Sequence, residues 1–369
     1  MLKSLHREPR KALTQQELNA VLLGHERMLS YQRGAAKAEL ARTRLDGLNL
    51  ANRNLAEADL SFASLVGAVA FGTNFERANL HCTDLRDTDF SSARLMKADM
   101  RGASMCGAKL AFARLDGADL RAATVAYKGP AVAKEAEGTF RVDFSNASLK
   151  GASFSHARLE GVNFNGAILE GANFKNARLA NVSFRNAVLT GVNIADMGLP
   201  PESFEGAIRG IGDEALARKH IIAAKLEAHA LCIASAAARG APAVLDDEDL
   251  RPVHNLLVGK SLTGLTLRRA VALGLDFSYC QLQGARFDGA DLRECDFSGA
   301  DLRGASFRGC KLAHARFEKA DLRCLLLPDG KRLTPDFAGA DVARSQFFHA
   351  VLEDGLAALG LGQDEAAAA

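Results

Sequence analysis

Hydrophobic side chains recur along this chain at every fifth position. From Leu45 the series runs through Leu50, Leu55, Leu60, Leu65, Ala70, Phe75, Leu80, Leu85, Phe90, Leu95, Met100, Met105, Leu110, Leu115 and Leu120 to Val125, seventeen apolar centres without a miss. Two residues before each centre stands a small one, most often alanine, as at Ala58, Ala63, Ala78, Ala93 and Ala118. Asp or Asn often precedes the centre (Asp59, Asn79, Asp99, Asp119), and glycine often follows it by two (Gly47, Gly67, Gly102, Gly117). A period of five belongs neither to a helix nor to a long strand. A short extended piece puts the centre and its i−2 neighbour on one face. A turn suited to Gly, Asn and Asp must follow. The pattern predicts a coil that corners every five residues and buries both positions.

A second block repeats the pattern through Phe144, Leu149, Phe154, Leu159, Phe164, Leu169, Phe174, Leu179, Phe184, Leu189 and Ile194, with Ala or Val at every i−2 position. Val142, Val162 and Val182 fall twenty residues apart, which predicts four five-residue sides per turn with like residues stacked. A third block runs from Leu262 and Leu267 through Ala272, Phe277, Leu282, Phe287, Leu292, Phe297, Leu302, Phe307, Leu312 and Phe317 to Leu322. It resumes at Phe337, Val342, Phe347 and Leu352 after an irregular stretch containing Pro328 and Pro335.

Units such as Ala58-Asp59-Leu60-Ser61-Phe62, Ala118-Asp119-Leu120-Arg121-Ala122 and Ala300-Asp301-Leu302-Arg303-Gly304 resemble pentapeptide repeats. The resemblance implies an all-β solenoid, a right-handed quadrilateral β-helix with one pentad per side and the central Leu or Phe inside. Its core would then include Leu60, Phe90, Phe144, Phe154, Phe164, Phe174, Phe184, Phe277, Phe287, Phe297, Phe307 and Phe317. The pattern departs at Arg53, where a small inward residue is expected, at Ala70, and around 197–202.

Stacked coils expose unpaired backbone at their ends and need caps. Thr14-Gln15-Gln16-Glu17 reads as a capping box opening a helix, with Leu18, Val21, Leu22, His25 and Leu29 on one face and Gly34 helping to end it. The expected organisation is an N-terminal helical cap over 1–40 and a solenoid over 41–210 built from blocks 45–125 and 140–208. A loop over 126–139 would protrude between these blocks, making Tyr127, Lys128 and Pro130 candidate interaction residues. A helical connector and linker is expected over 211–258. In it, a helix over 213–238 has Asp213 as N-cap and an apolar stripe of Leu216, Ile222, Leu226 and Ile233, and Asp246-Asp247-Glu248-Asp249 forms a polar linker. A second solenoid over 259–353 and a tail over 354–369 follow, with Leu356 and Leu359 available to cap the last coil.

Composition narrows the function classes. Lys+Arg 46 against Asp+Glu 44 gives a formal charge of +2, no footprint for nucleic acid or an anionic membrane. The N-terminus lacks the apolar core of a signal peptide. The most apolar helical stretch is interrupted by Lys225 and Glu227, so no membrane insertion is expected. Seven cysteines, an odd number without a CxxC pair, suit a reducing cytoplasm.

No motif carries catalysis. Gly210-Ile211-Gly212-Asp213-Glu214-Ala215 fits GxGxxG/A but lacks the surrounding βαβ unit. Gly259-Lys260-Ser261 resembles the end of a phosphate loop, with His254 where the first glycine belongs, and runs straight into pentads. Cys280, Cys295 and Cys310 occupy i−2 positions on different sides and should point inward. His229 and Cys232 share a helix face, yet two ligands make no zinc site. Asp87 and Asp89 belong to the repeat surface. No catalytic, cofactor or metal residue is expected, and the leading reading is a non-enzymatic scaffold for an unidentified protein partner, as a monomer or as a homodimer through the solenoid ends. The resemblance also implies a DNA gyrase or topoisomerase-interacting duplex mimic. Span 45–125 has nine basic and ten acidic residues, 141–208 six of each, and 260–325 eleven basic and eight acidic, which disfavours such a mimic. An enzyme or effector with its chemistry in the helices is the third class, and neither helix carries a nucleophile with a base.

Overall fold

The computed structural model describes residues 11–33, 35–124 and 142–353. The chain divides into two compact units, Met1–Gly210 and Ile211–Ala369. Gly34, the end of the first block at Val125, the loop residues Tyr127, Lys128 and Pro130, and Leu356 and Leu359 lie outside the described residues.

The first unit opens with strand β1 (Lys11–Ala12), which pairs in parallel with β2 (Thr43–Arg44). Between them lies helix α1 (Gln15–Leu29). Thr14 caps it reciprocally: the Glu17 carboxylate accepts from the Thr14 backbone N–H at 2.8 Å, and the Glu17 N–H donates to the Thr14 hydroxyl at 3.3 Å. Leu18 and Leu22 join the same buried core as Leu40, Leu45 and Leu50.

From there each five-residue side bonds to the side twenty residues on. Asn49, Asn54, Asp59 and Ser64 form parallel bridges with Val69, Asn74, Asn79 and Asp84, so four sides make one turn. Each extended piece is satisfied in both directions. The Leu60 N–H donates to Asn79 O at 2.8 Å, and the Asn79 N–H returns to Ala58 O at 2.9 Å. Corners close by turn bonds such as Ala58 N–H to Leu55 O at 3.1 Å. Longer strands occur where β3 (Val142–Asp143) pairs with β5 (Val162–Asn163), and β4 (Arg158–Glu160) with β6 (Arg178–Ala180), all in parallel.

The offset grows to thirty-four residues between Lys109 and Asp143, where the undescribed segment is inserted, and the four-sided register resumes above it. Near 197–202 the coil gives way to short 3-10 turns over Ala195–Met197 and Pro201–Phe204.

The interior of the first block is mainly Leu, Met and Ala, and from Phe144 onward it becomes a set of aromatic stacks. Phe144, Phe164, Phe184 and Phe204 lie ring on ring at centroid spacings of 5.1, 5.0 and 5.5 Å. Phe154 and Phe174 stack at 5.0 Å in a second column that meets the first edge-on. Leu60, Phe90, Phe144, Phe154, Phe164 and Phe184 are fully buried, and Phe174 nearly so. The small centre Ala70 is also fully buried.

The second unit repeats this plan, and here four sequence-based expectations fail. Helix α2 (Asp213–Ala234) is capped by Gly212, not by Asp213, which is its first helical residue. Its buried face is Ile222, Leu226, His229 and Cys232, while Leu216 and Ile233 of the expected stripe are exposed. Ile222 and Leu226 belong to one core with Ala243, Leu245, Leu250 and the Phe interior. Residues 246–249 are no linker: Leu245 and Leu250 are buried centres five apart, and Val244 and Asp249 bridge Thr266 and Val271. That twenty-two-residue offset hides the coil from a strict five-residue count. The solenoid of this unit therefore starts near Ala243, not at 259.

Phe277, Phe297, Phe317 and Phe347 stack at 5.1, 5.1 and 5.0 Å, beside Phe287, Phe307 and Phe337 at 4.7 and 4.6 Å. The irregular stretch is an antiparallel hairpin of β7 (Leu325–Leu326) and β8 (Arg332–Leu333). It lies over the corner at Gly304, where an added Cβ would come within 2.9 Å of both Leu325 and Leu333.

Candidate interaction surface

With centres and i−2 residues inside, the outer faces are built from the residues flanking each centre. The inward polar residues are closed off individually. The Thr73, Thr83 and Thr88 hydroxyls donate to the carbonyls of Leu50, Leu60 and Leu65 at 2.7, 3.0 and 2.7 Å. The Cys280, Cys295 and Cys310 thiols repeat that geometry toward Leu257, Ala272 and Phe287 at 2.9, 2.9 and 3.0 Å. Burial pushes the Cys280 thiol up to about 11 and Cys310 up to about 12, and raises Cys295 well above the ordinary value. These thiols are held protonated and unreactive.

The recurrent Asp-x-Arg flanks form local clamps. In each, the aspartate Oδ1 accepts the arginine backbone N–H while the guanidinium turns back onto the same carboxylate. Arg101 meets Asp99 at 2.8 and 2.6 Å, and Arg323 meets Asp321 at 3.0 and 2.7 Å. Asp119 with Arg121 and Asp301 with Arg303 are built alike. The guanidinium hydrogen bond lowers the carboxyl of Asp99, and likewise that of Asp321. Contacts also run up the column, from Arg101 to Asp119 at 3.7 Å and from Arg303 to Asp321 at 3.8 Å. Exposed pairs of this kind add little to stability. Their larger consequence is that acid and base cancel locally, so these faces carry hydrogen-bonding groups without a one-sign field.

Three groups depart from the repeat in ways the sequence reading did not interpret. Arg53 holds Glu26 of α1 at 2.8 and 2.9 Å, which keeps the Glu26 carboxyl below its ordinary range. Glu248, at the corresponding i−2 position before Leu250, is bonded by Arg218 and Lys225 of α2, the Arg218 hydrogen bond contributing most to lowering its carboxyl. A charge at an inward position was the signal of a helix lying on that coil. The third is a cluster in the second unit: buried Arg293 binds Asp291, and burial pushes Asp341 up to about 6 and lowers Lys311.

The remaining candidates are structural. Gly259 is a coil corner whose N–H reaches Ser278 O at 3.0 Å, and Gly212 caps α2 with no strand ahead of it. Among the described residues no group of three His, Cys, Asp or Glu could hold a metal ion, and no helix is long and apolar enough to cross a membrane.

The pattern of the family described as "Pentapeptide repeats" matches residues 54–95, 83–121, 261–293 and 290–323 in eight copies, and that described as "Pentapeptide repeat region" matches 139–207. No curated protein matches the chain. Among solved structures, a pentapeptide repeat protein of the Arabidopsis thaliana thylakoid lumen is 24% identical, with 38% of this chain and 78% of that one covered and a TM-score of 0.26. HetL, a pentapeptide repeat protein involved in heterocyst differentiation regulation in the cyanobacterium Nostoc sp. PCC 7120, is 20% identical over 92% of each chain with a TM-score of 0.17. QnrB1, a plasmid-mediated fluoroquinolone resistance protein, is 16% identical over 80% of this chain and 93% of its own, with a TM-score of 0.26.

Proposed function

Because the chain belongs to the pentapeptide-repeat family, whose patterns cover more than half of its length, we propose that it is a non-catalytic scaffold whose outer β-helical faces bind another protein. The observation that carries this reading is the division of labour between inside and outside. The interior is occupied by stacked rings and aliphatic side chains, while the faces present Asp-x-Arg clamps in register along a column. A partner with alternating charges can exchange hydrogen bonds with such a column at little desolvation cost. The segment with Tyr127, Lys128 and Pro130 is a further proposed contact, and a cytoplasmic monomer or end-to-end homodimer is the proposed form.

Mimicry of duplex DNA toward a topoisomerase is disfavoured, because clamped carboxylates do not add up to a phosphate-like field. Chemistry in the helices is disfavoured because the buried histidines of α1 and α2 turn their Nδ1 atoms onto backbone N–H groups of the adjoining coils. The test is affinity capture with cross-linking, comparing wild type with Arg101→Glu/Arg121→Glu and with Arg303→Glu/Arg323→Glu. Loss of a specific cross-linked protein in one double variant, with unchanged circular dichroism, supports the reading. A protein that binds no partner on either face, or that turns over a substrate, overturns it.

A further inference from the structure

The two units begin with the same construction. In α1 the residues facing the coil are Leu18, Leu22 and His25, and in α2 they are Ile222, Leu226 and His229, the same spacing of four and three. The residue before each histidine accepts a backbone bond from the returning chain: Ala36 N–H to Gly24 O at 3.1 Å, and Ala241 N–H to Ala228 O at 3.2 Å. Two residues further on, the chain donates into the imidazole itself. Ala38 N–H reaches His25 Nδ1 at 3.1 Å and Ala243 N–H reaches His229 Nδ1 at 3.0 Å. Ala38 and Ala243 are each the i−2 residue of the first centre, Leu40 or Leu245. A helix read from sequence as a connector therefore has the contacts of a second N-terminal cap.

This geometry needs a neutral ring. Nδ1 can accept a backbone N–H only while it carries no proton, and an added proton would set two donors against each other in a buried site. Both rings are fully buried. His25 Nε2 is bonded to Ala56 O at 2.8 Å, whereas His229 Nε2 approaches the Leu262 backbone without a well-formed hydrogen bond. The charged groups joining helix and coil are already committed to each other: Glu26 with Arg53 in the first unit, and Glu248 with Arg218 and Lys225 in the second.

We propose that His229 is an acid-sensitive latch, whose protonation releases α2 from the first coil of its unit and uncovers an unpaired coil end for association. The inference is independent of the scaffold reading. Burial holds His229 below the ordinary histidine value. The sign follows: the released helix binds a proton that the docked helix does not. Docking is thus strongest above the ordinary histidine pKa and weakens as pH falls below it.

The test is amide hydrogen exchange on the full chain between pH 7.5 and 5.0, corrected for intrinsic rates. Amides of 213–234 are expected to lose protection selectively, with opening rising by up to about tenfold per pH unit, while mid-coil amides around 280–310 hold. Helix amides that keep their protection, or lose it in step with the mid-coil, overturn the proposal. His229→Gln keeps an acceptor that does not titrate, so the selective loss should disappear, and its persistence would also overturn the proposal. If the variant does not fold, the wild-type series decides alone.

Discussion

Replacing Phe164 by alanine tests the stacked interior most directly. Phe164 is fully buried, with Phe144 at 5.1 Å and Phe184 at 5.0 Å on its two faces and Phe154 at 5.5 Å and Phe174 at 6.0 Å at its edges. The truncation removes a whole ring from a site whose walls are backbone ladders, which cannot collapse inward to fill it. The cost should sit at the upper end of about 3–5 kcal/mol for a buried Phe→Ala change. Phe164→Asp should cost more, because it leaves the same cavity with an unpaired carboxyl inside. The reference is Arg178→Asp, on the outer face of β6 and exposed, which should stay within about 0.5 kcal/mol. Urea titrations by circular dichroism give the difference. Since coils contact mainly their neighbours, hydrogen exchange should place the loss within 144–184 first. Equal midpoints for Phe164→Ala and Arg178→Asp would refute the inside–outside assignment.

Gly107 sits at a corner with φ +79°, and an added Cβ would lie 1.9 Å from Asp87 Oδ1. Asp87 is exposed and its carboxylate can swing aside, so Gly107→Ala should lower stability by ~1 kcal/mol, as at Gly47, whose corner has φ +68° and open space around it; a much larger loss in paired melts would show that Asp87 is held in place. Limited trypsin digestion should cut first at Arg209, in an exposed bend at the division between units, and leave both fragments folded. An early cut within 246–251 would contradict the coil placed there. Asp341 is raised to about 6 by burial, so the folded second unit binds a proton that the unfolded chain releases in this range. Its contribution to stability is lost as pH rises from about 4 through 6, and Asp341→Asn should flatten that part of the urea-midpoint profile.

The coil was legible because a five-residue side places every centre in the same environment, so one pattern of Leu or Phe with a small i−2 partner is written again and again. Leu60 and Phe297 need no distant information to be placed inside. The four-sided turn was legible for the same reason, through Val142 and Val162 at one rung spacing, which the structure pairs directly. What failed were the places where a second element changes what a position requires. Glu248 at an i−2 position argues locally for a polar linker, and only the docking of α2 supplies Arg218 and Lys225 to receive it inside a coil. Arg53 reads as a defect until Glu26 arrives from α1. The apolar stripe of α2 reads as Leu216, Ile222, Leu226 and Ile233; the coil keeps Ile222 and Leu226, leaves the two ends exposed, and buries His229 and Cys232 instead. Periodic local packing is a nearest-neighbour property and is carried by composition at each repeat. Which face of a helix is covered, and which charge can be buried, depends on residues twenty to thirty positions away, and only the tertiary structure brings those together.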